Sequence, residues 1–91
     1  MQETSLKELI GYIKTKDFTH VRKWVGENLD TDPVVLFRKF YDTASEYMKP
    51  SSIPQLVLLI AEYQYKQAFV ADSEINMVAF LTEVMVECEF K

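Results

Sequence analysis

The chain has 91 residues, which is enough for one hydrophobic core, since a domain of this size buries only about 60% of its unfolded surface. Its composition is 48% apolar with two glycines and three prolines, which is typical of a compact helical domain and excludes a disordered one. The net charge of −4 lies in residues 50–91, where two basic residues stand against six acidic ones, and this balance disfavours binding to a phosphate backbone.

Nothing in the sequence indicates a membrane or secreted protein. No apolar run approaches the roughly 20 residues that span a bilayer, and residues 1–4 lack the basic and apolar regions of a signal peptide. The single cysteine, Cys88, has no internal disulfide partner, so we expect a reducing, cytoplasmic setting. Cys88 shares an apolar helix face with Leu81 and Val84, which predicts a small buried side chain.

The first two helices are predicted over residues 5–15 and 18–28. Ser5 and Glu8 have the spacing of a capping box, and the apolar stripe that follows has helical period. Asp17 is suited to cap the second helix. The second helix is expected to bury Phe18, Val21 and Val25, with Trp24 at its edge.

The third helix has the strongest start signal and is predicted over residues 33–48. Asp32 supplies the cap, and Pro33 occupies the first helical position, where its missing N–H costs nothing. Pro50 ends the run, because proline disfavours a helical residue before it. The apolar stripe between them comprises Leu36, Phe37, Phe40, Tyr41, Ala44, Tyr47 and Met48.

Two further helices are predicted over residues 53–70 and 74–89. Ser52 and Gln55 have the spacing of a capping box, and Asp72 or Ser73 opens the last helix. Short connections favour antiparallel neighbours, so the fold class is all-α, a compact five-helix bundle forming a single domain over residues 1–91. The predicted core comprises Leu9, Ile13, Val21, Val25, Phe37, Phe40, Tyr41, Ala44, Val57, Ile60, Met77, Leu81, Val84 and Met85.

The last two helices are more apolar than helices with one buried face. Leu59 lies within the polar stripe of helix 4, and Phe80 lies within that of helix 5. A surface helix of a small monomer needs an apolar stripe only about 100° wide, so we expect Leu59 and Phe80 to contact another chain. Gln64 stands on the most apolar side of helix 4, where its amide either bonds a loop or faces a partner. Tyr63 and Gln64 are further candidates for this interface.

The sequence offers little for catalysis. One histidine, His20, and one cysteine exclude a Cys/His zinc site, and no glycine-rich phosphate-binding loop is present. Two carboxylate groups, Asp30 with Asp32 and Glu83 with Glu87 and Glu89, lack the ligand spacing of a cation site and are expected at a helix start and on a solvated face. We therefore predict no catalytic, cofactor-binding or metal-binding residues, no cofactor, and no enzyme activity in this chain.

Two other readings of the surface are weaker. The tyrosines and Trp24 suggest a base-stacking platform, but most lie on apolar faces without interleaved arginines, which favours packing. The basic cluster Lys14, Lys16, His20, Arg22 and Lys23 allows a helix-turn-helix DNA binder, although a solvated helix face accounts for it better.

The chain resembles the C-terminal collar domain of replication factor C-type clamp-loader small subunits. The resemblance is strongest over the last forty residues, in the stretches 51–65 (SSIPQLVLLIAEYQY) and 73–83 (SEINMVAFLTE) with Ala68 between them. Within this family the chain is most similar to the version found in tailed phages with a myovirus-type replisome, on the basis of residues 16–24 (KDFTHVRKW) and 87–91 (ECEFK). The similarity extends from about Ser5 to Lys91.

The resemblance implies a part in DNA replication. In that family a small subunit comprises an AAA+ ATPase module, a lid and this collar, and collars of several subunits close into a ring. The assembly loads a ring-shaped sliding clamp onto primer–template DNA. Because this chain lacks the phosphate-binding loop, the Walker B box and the arginine finger, we expect a collar that belongs to a longer subunit. Its partners are then other clamp-loader subunits. The sliding clamp and the DNA would be contacted only through the other modules. The alternative is a stand-alone helical adaptor or regulator.

Overall fold

A computed structural model describes residues 3–28 and 32–91. Within these residues the fold is an all-α bundle, as predicted, and contains no strand. A short 3-10 turn, Pro50–Ser52, leads directly into the fourth helix. The five helices are α1 (Glu3–Lys14), α2 (Phe18–Glu27), α3 (Pro33–Tyr47), α4 (Ile53–Gln67) and α5 (Ser73–Glu87).

Three aspartates cap helices: Asp17 and Asp32 as predicted, and Asp72 at the position where the sequence left Asp72 and Ser73 open. The Asp17 carboxylate accepts from the backbone N–H of His20, and the Asp32 carboxylate accepts from that of Val34 at 2.9 Å. The Asp72 carboxylate accepts from the first backbone N–H groups of α5. These bonds satisfy amides that lack a partner within the helix, so they fix where each helix begins. The capping box predicted at Ser5 involves side chains outside the described residues.

Ser52 does not cap α4, contrary to the sequence prediction. Its side chain makes no capping bond, and its Oγ accepts instead from the backbone N–H of Glu89 at 2.8 Å. The C-terminal residues lie along the end of α3, where Met48 and Phe90 form an antiparallel bridge and the Lys91 N–H donates to the Tyr47 carbonyl. The serine therefore ties the C-terminal segment to the start of α4.

The core is built around aromatic rings from three helices. Phe80 of α5 is fully buried and meets Phe37 and Phe40 of α3 edge-on, with ring centroids 5.0 and 5.7 Å apart. Tyr63 of α4 completes the group, 5.7 Å from Phe80. Edge-to-face contacts add to the free energy that burial of the rings contributes. The buried apolar residues of α1 and α2 join the same cluster.

Twelve of the fourteen predicted core residues are buried, but Tyr41 and Val57 are not. Both lie at the outer edge of the contact between α3 and α4, and the Tyr41 ring is 51% exposed with the Arg38 guanidinium over it. Two assignments in α2 are also reversed, since Phe18 is exposed and Trp24 is buried. Phe18 is the first residue of α2, so its side chain lies at the end of the helix rather than along its buried stripe.

Cys88 is buried, as predicted. Burial of the thiol, with a smaller contribution from the charge of Glu87, raises its pKa to about 11. Because of this raised pKa the Cys88 thiol stays protonated at neutral pH, so the side chain acts as a small apolar group in the core.

Candidate protein-interaction surface

Several polar side chains of α4 and α5 bond to each other where the two helices pack. The Tyr63 hydroxyl donates to the Glu83 carboxylate at 2.7 Å, and the Gln55 amide donates to Glu87 at 3.4 Å. At the other end, buried Asn76 donates to the Gln67 side-chain oxygen at 2.9 Å. Each helix therefore supplies hydrogen-bond partners to the other, while Glu62, Lys66 and Glu87 remain exposed.

This pairing overturns the predicted exposure of three interface candidates. Leu59 and Tyr63 are each 4% exposed, and Phe80 is fully buried. All three belong to the domain's own core. Periodicity placed Leu59 and Phe80 within polar stripes, but it did not show that these two side chains face the neighbouring helices. They are not available to a partner chain in this structure.

The side of α4 opposite to α5 is exposed and mainly apolar. Leu58, Tyr65 and Phe69 are 66, 70 and 72% exposed, and the rings of Tyr65 and Phe69 lie 5.1 Å apart. Helical spacing places Leu58 and Tyr65 on one side of the helix, and Phe69 lies in the turn that follows α4. We call this surface the α4 outer face, and it comprises Val57, Leu58, Ala61, Gln64 and Tyr65 of α4 together with Ala68 and Phe69 of the turn after it.

Gln64 is the one predicted interface residue that the structure leaves exposed. It stands among apolar neighbours of the α4 outer face, and its side chain makes no hydrogen bond to any described residue. Gln64 also lines a cavity of about 210 Å³ between α3 and α4, together with Phe37, Arg38, Tyr41, Val57, Ile60 and Ala61. The outer face therefore continues into a groove against α3.

Charges beside the α4 outer face are neutralised within the domain. Arg38 pairs with Asp42 at 3.1 Å along α3, and Lys66 pairs with Glu62 at 3.7 Å along α4. Pairs of this kind on a helix surface contribute only a few tenths of a kcal/mol to stability. Their consequence here is electrostatic, because they leave the outer face without unpaired charge. Its chemistry fits an apolar protein surface.

A second exposed surface lies between α2 and α5 and differs in its charge. It surrounds a cavity of about 490 Å³ whose apolar lining includes Phe18 and Ile75. Arg22 lines the α2 side, and Glu74 and Glu83 line the α5 side. Sequence reasoning missed this surface, because the exposure of Phe18 at the start of α2 depends on how α2 packs. We call it the α2–α5 groove.

The described residues offer no site for a metal ion and no membrane-spanning helix. No group of three or more histidine, cysteine, aspartate or glutamate side chains is clustered among them to bind a metal. Likewise, none of the described helices has the length and apolar content needed to cross a membrane. His20 interacts with Asp17 and stacks on Tyr12 at 5.0 Å, which accounts for its ring at the turn between α1 and α2.

Comparison of the chain with protein-family models gives no match, and comparison with curated proteins gives no significant match.

Proposed function

We propose that this domain is an assembly domain, the collar of a clamp-loader small subunit, and that the α4 outer face contacts the neighbouring subunit. The observation that carries the proposal is this face, with Leu58 and Tyr65 on one side of α4 and Phe69 in the turn that follows, each about 70% exposed. A contiguous exposed apolar surface on a small domain generally marks an interaction site. The partners are then other clamp-loader subunits, and the role in DNA replication is to hold ATPase modules in a ring.

Two features support this assignment over a catalytic one. One of the two stretches that carry the resemblance to a collar, residues 51–65, forms most of α4, which is the helix with the exposed face. The charges around the face are already paired within the domain. An interface without unpaired charge avoids the cost of burying ions that lack partners.

The proposal is tested by substitutions on the α4 outer face. Leu58→Asp and Tyr65→Asp are expected to reduce self-association of the 91-residue chain, or its association with other clamp-loader subunits, by about thirtyfold. This corresponds to the 2 kcal/mol or more that an interface anchor commonly contributes. Because both side chains are exposed, the melting temperature should change little. Sedimentation velocity, read beside melting curves, measures the two effects separately.

Val86→Asp is the matched control, since Val86 is an equally exposed apolar residue, at 70%, but lies on α5. Association that is lost in the Val86 variant and kept in the α4 variants would refute the proposed face. Association with a protein unrelated to clamp loaders through the α4 outer face, without clamp-loader partners, would favour the adaptor alternative. Reading the coding frame upstream of Met1 provides an independent test, because the collar assignment expects an ATPase module with a phosphate-binding loop in the same frame.

A further inference from the structure

The α2–α5 groove carries unpaired charge, unlike the α4 outer face. Arg22 on α2 and both Glu74 and Glu83 on α5 line it, and none of these three forms an ion pair with any described residue. Glu83 accepts a hydrogen bond from the buried Tyr63 hydroxyl, which leaves its negative charge uncompensated. The groove therefore combines an apolar lining with a net negative rim.

The dimensions of the groove suit a helix. Its α5 wall runs from Glu74 to Glu83, which is about 13 Å at the rise of an α-helix and corresponds to about two and a half turns. Ile75 and Phe18 are 68 and 45% exposed at this surface. A partner helix in such a groove places apolar side chains at positions i, i+3 or i+4, and i+7.

Other occupants fit the groove less well. Small-molecule sites need convergent polar groups, and the described residues contain no buried side-chain polar atom without a hydrogen-bond partner. Nucleic acid would bring phosphates against the two glutamates. The α4 outer face of a second copy would offer only cations that already have carboxylate partners.

We infer that the α2–α5 groove is a second docking site and that its partner is an amphipathic helix whose apolar stripe is flanked by lysine or arginine. The apolar stripe packs on Ile75 and Phe18, and the basic flank meets Glu74 and Glu83. Opposite charges across an interface raise the association rate and select among partners. This site is separate from the α4 outer face, so it adds a second partner to the assembly role proposed above.

The test uses two synthetic 15-residue helical peptides with the same leucine spacing, one flanked by lysines and the other by glutamates. Fluorescence anisotropy with the 91-residue chain should show that the lysine peptide binds at least about tenfold more tightly. The preference should weaken as salt is raised, because exposed charges are screened. Equal binding of the two peptides, or no binding of either, would overturn the inference.

Variants then locate the binding site on the domain. Ile75→Ser should weaken the lysine peptide about tenfold, and Glu74→Gln should reduce both its affinity and its salt dependence severalfold without removing apolar surface. Leu58→Ser, on the α4 outer face, is the control and should bind as the parent does, while melting temperatures verify that all variants fold. Loss of binding in Leu58→Ser but not in Ile75→Ser would assign the peptide to the other face and refute the inference. Because the assembly test depends on Leu58 and Tyr65, the two proposals can fail independently.

Discussion

Phe80 is the residue on which the packing of three helices converges. It has no exposed surface and meets Phe37, Phe40 and Tyr63 within 5.7 Å between ring centroids. Side chains in such positions interlock at close to crystalline density, so a removed ring leaves a cavity that the neighbours refill only in part. The effect of changing Phe80 is therefore one of stability.

We expect Phe80→Ala to lower the free energy of unfolding by about 3–5 kcal/mol, the usual cost of truncating a buried phenylalanine. Urea denaturation monitored by circular dichroism measures the loss. Phe69→Ala is the matched control, because Phe69 is 72% exposed and its truncation should cost about 0.5 kcal/mol or less. A Phe80 variant as stable as the parent would contradict the buried position of the ring.

Tyr47 makes the free energy of unfolding depend on pH in the alkaline range. The pKa of the Tyr47 hydroxyl is raised from 10.0 to about 12, mainly because the group is buried. The hydrogen bond from Thr43 lowers this pKa in part, and the charge of Glu46 raises it slightly. The folded state therefore holds the phenolic proton more tightly than the unfolded chain does. The stabilisation is complete below pH 10 and is lost as the pH rises towards 12, because the unfolded chain has then released the proton.

Between pH 10 and 12, the free energy of unfolding should fall less in Tyr47→Phe than in the parent, by on the order of 2 kcal/mol. At neutral pH the same variant should be less stable by about 1 kcal/mol, since the hydroxyl no longer donates to the Phe40 carbonyl. Urea titrations at several pH values measure both effects. Tyr65→Phe, on a ring that is 70% exposed, serves as the control. An unchanged slope in Tyr47→Phe would contradict the effect of burial.

At the scale of elements, the Ser52 side chain holds the C-terminal segment in place. The Ser52 hydroxyl accepts from the Glu89 N–H, and the Lys49 N–H donates to the Glu89 carbonyl at 3.0 Å. The stacking of Phe90 on Tyr47, with centroids 6.1 Å apart, adds a third contact. These bonds connect the end of α5 to the junction between α3 and α4.

We expect Ser52→Ala to lower stability by about 1 kcal/mol and to accelerate hydrogen exchange of the Glu89 amide. Amides in the first turn of α4 should be unaffected, since the Ser52 side chain makes no capping bond there. Exchange measured by NMR distinguishes the two roles. The neighbouring Ser51→Ala, at an exposed position, is the control. Faster exchange in the first turn of α4 with an unchanged Glu89 would restore the capping box that the sequence predicted.

The molecule as a whole is expected to bind no nucleotide. The sequence holds only two glycines, Gly11 and Gly26, and these are too far apart to form a phosphate-binding nest of backbone amides. We expect millimolar ATP with magnesium to leave the melting temperature unchanged. A ligand selective for the native state stabilises it by about 2.7 kcal/mol at a hundred times its Kd, so binding would be visible as a higher melting temperature. Such an increase would contradict the expectation, and an ATPase with a phosphate-binding loop provides the positive control.

The sequence by itself determined the helices and most of the core. Asp17 and Asp32 cap helices where predicted, and Asp72 is one of the two caps that the sequence allowed for α5, because an N-cap is a local interaction between a side chain and amides two or three residues away. The apolar stripe of α3 is buried at Leu36, Phe37, Phe40, Ala44 and Met48. The polar residues on the opposite side of this helix are continuous enough for the sequence to predict correctly which side faces solvent.

Only the tertiary structure decided which sides of α4 and α5 face solvent. Periodicity identifies polar and apolar sides, but an individual polar group faces inward when a neighbouring helix supplies its hydrogen bond, as Glu83 does for Tyr63 and Gln67 does for Asn76. That pairing buried Leu59 and Phe80 and left Leu58, Tyr65 and Phe69 exposed. The partner of each polar group lies on another helix, 9 to 20 residues away in sequence, so the periodicity of one helix contains no information about it.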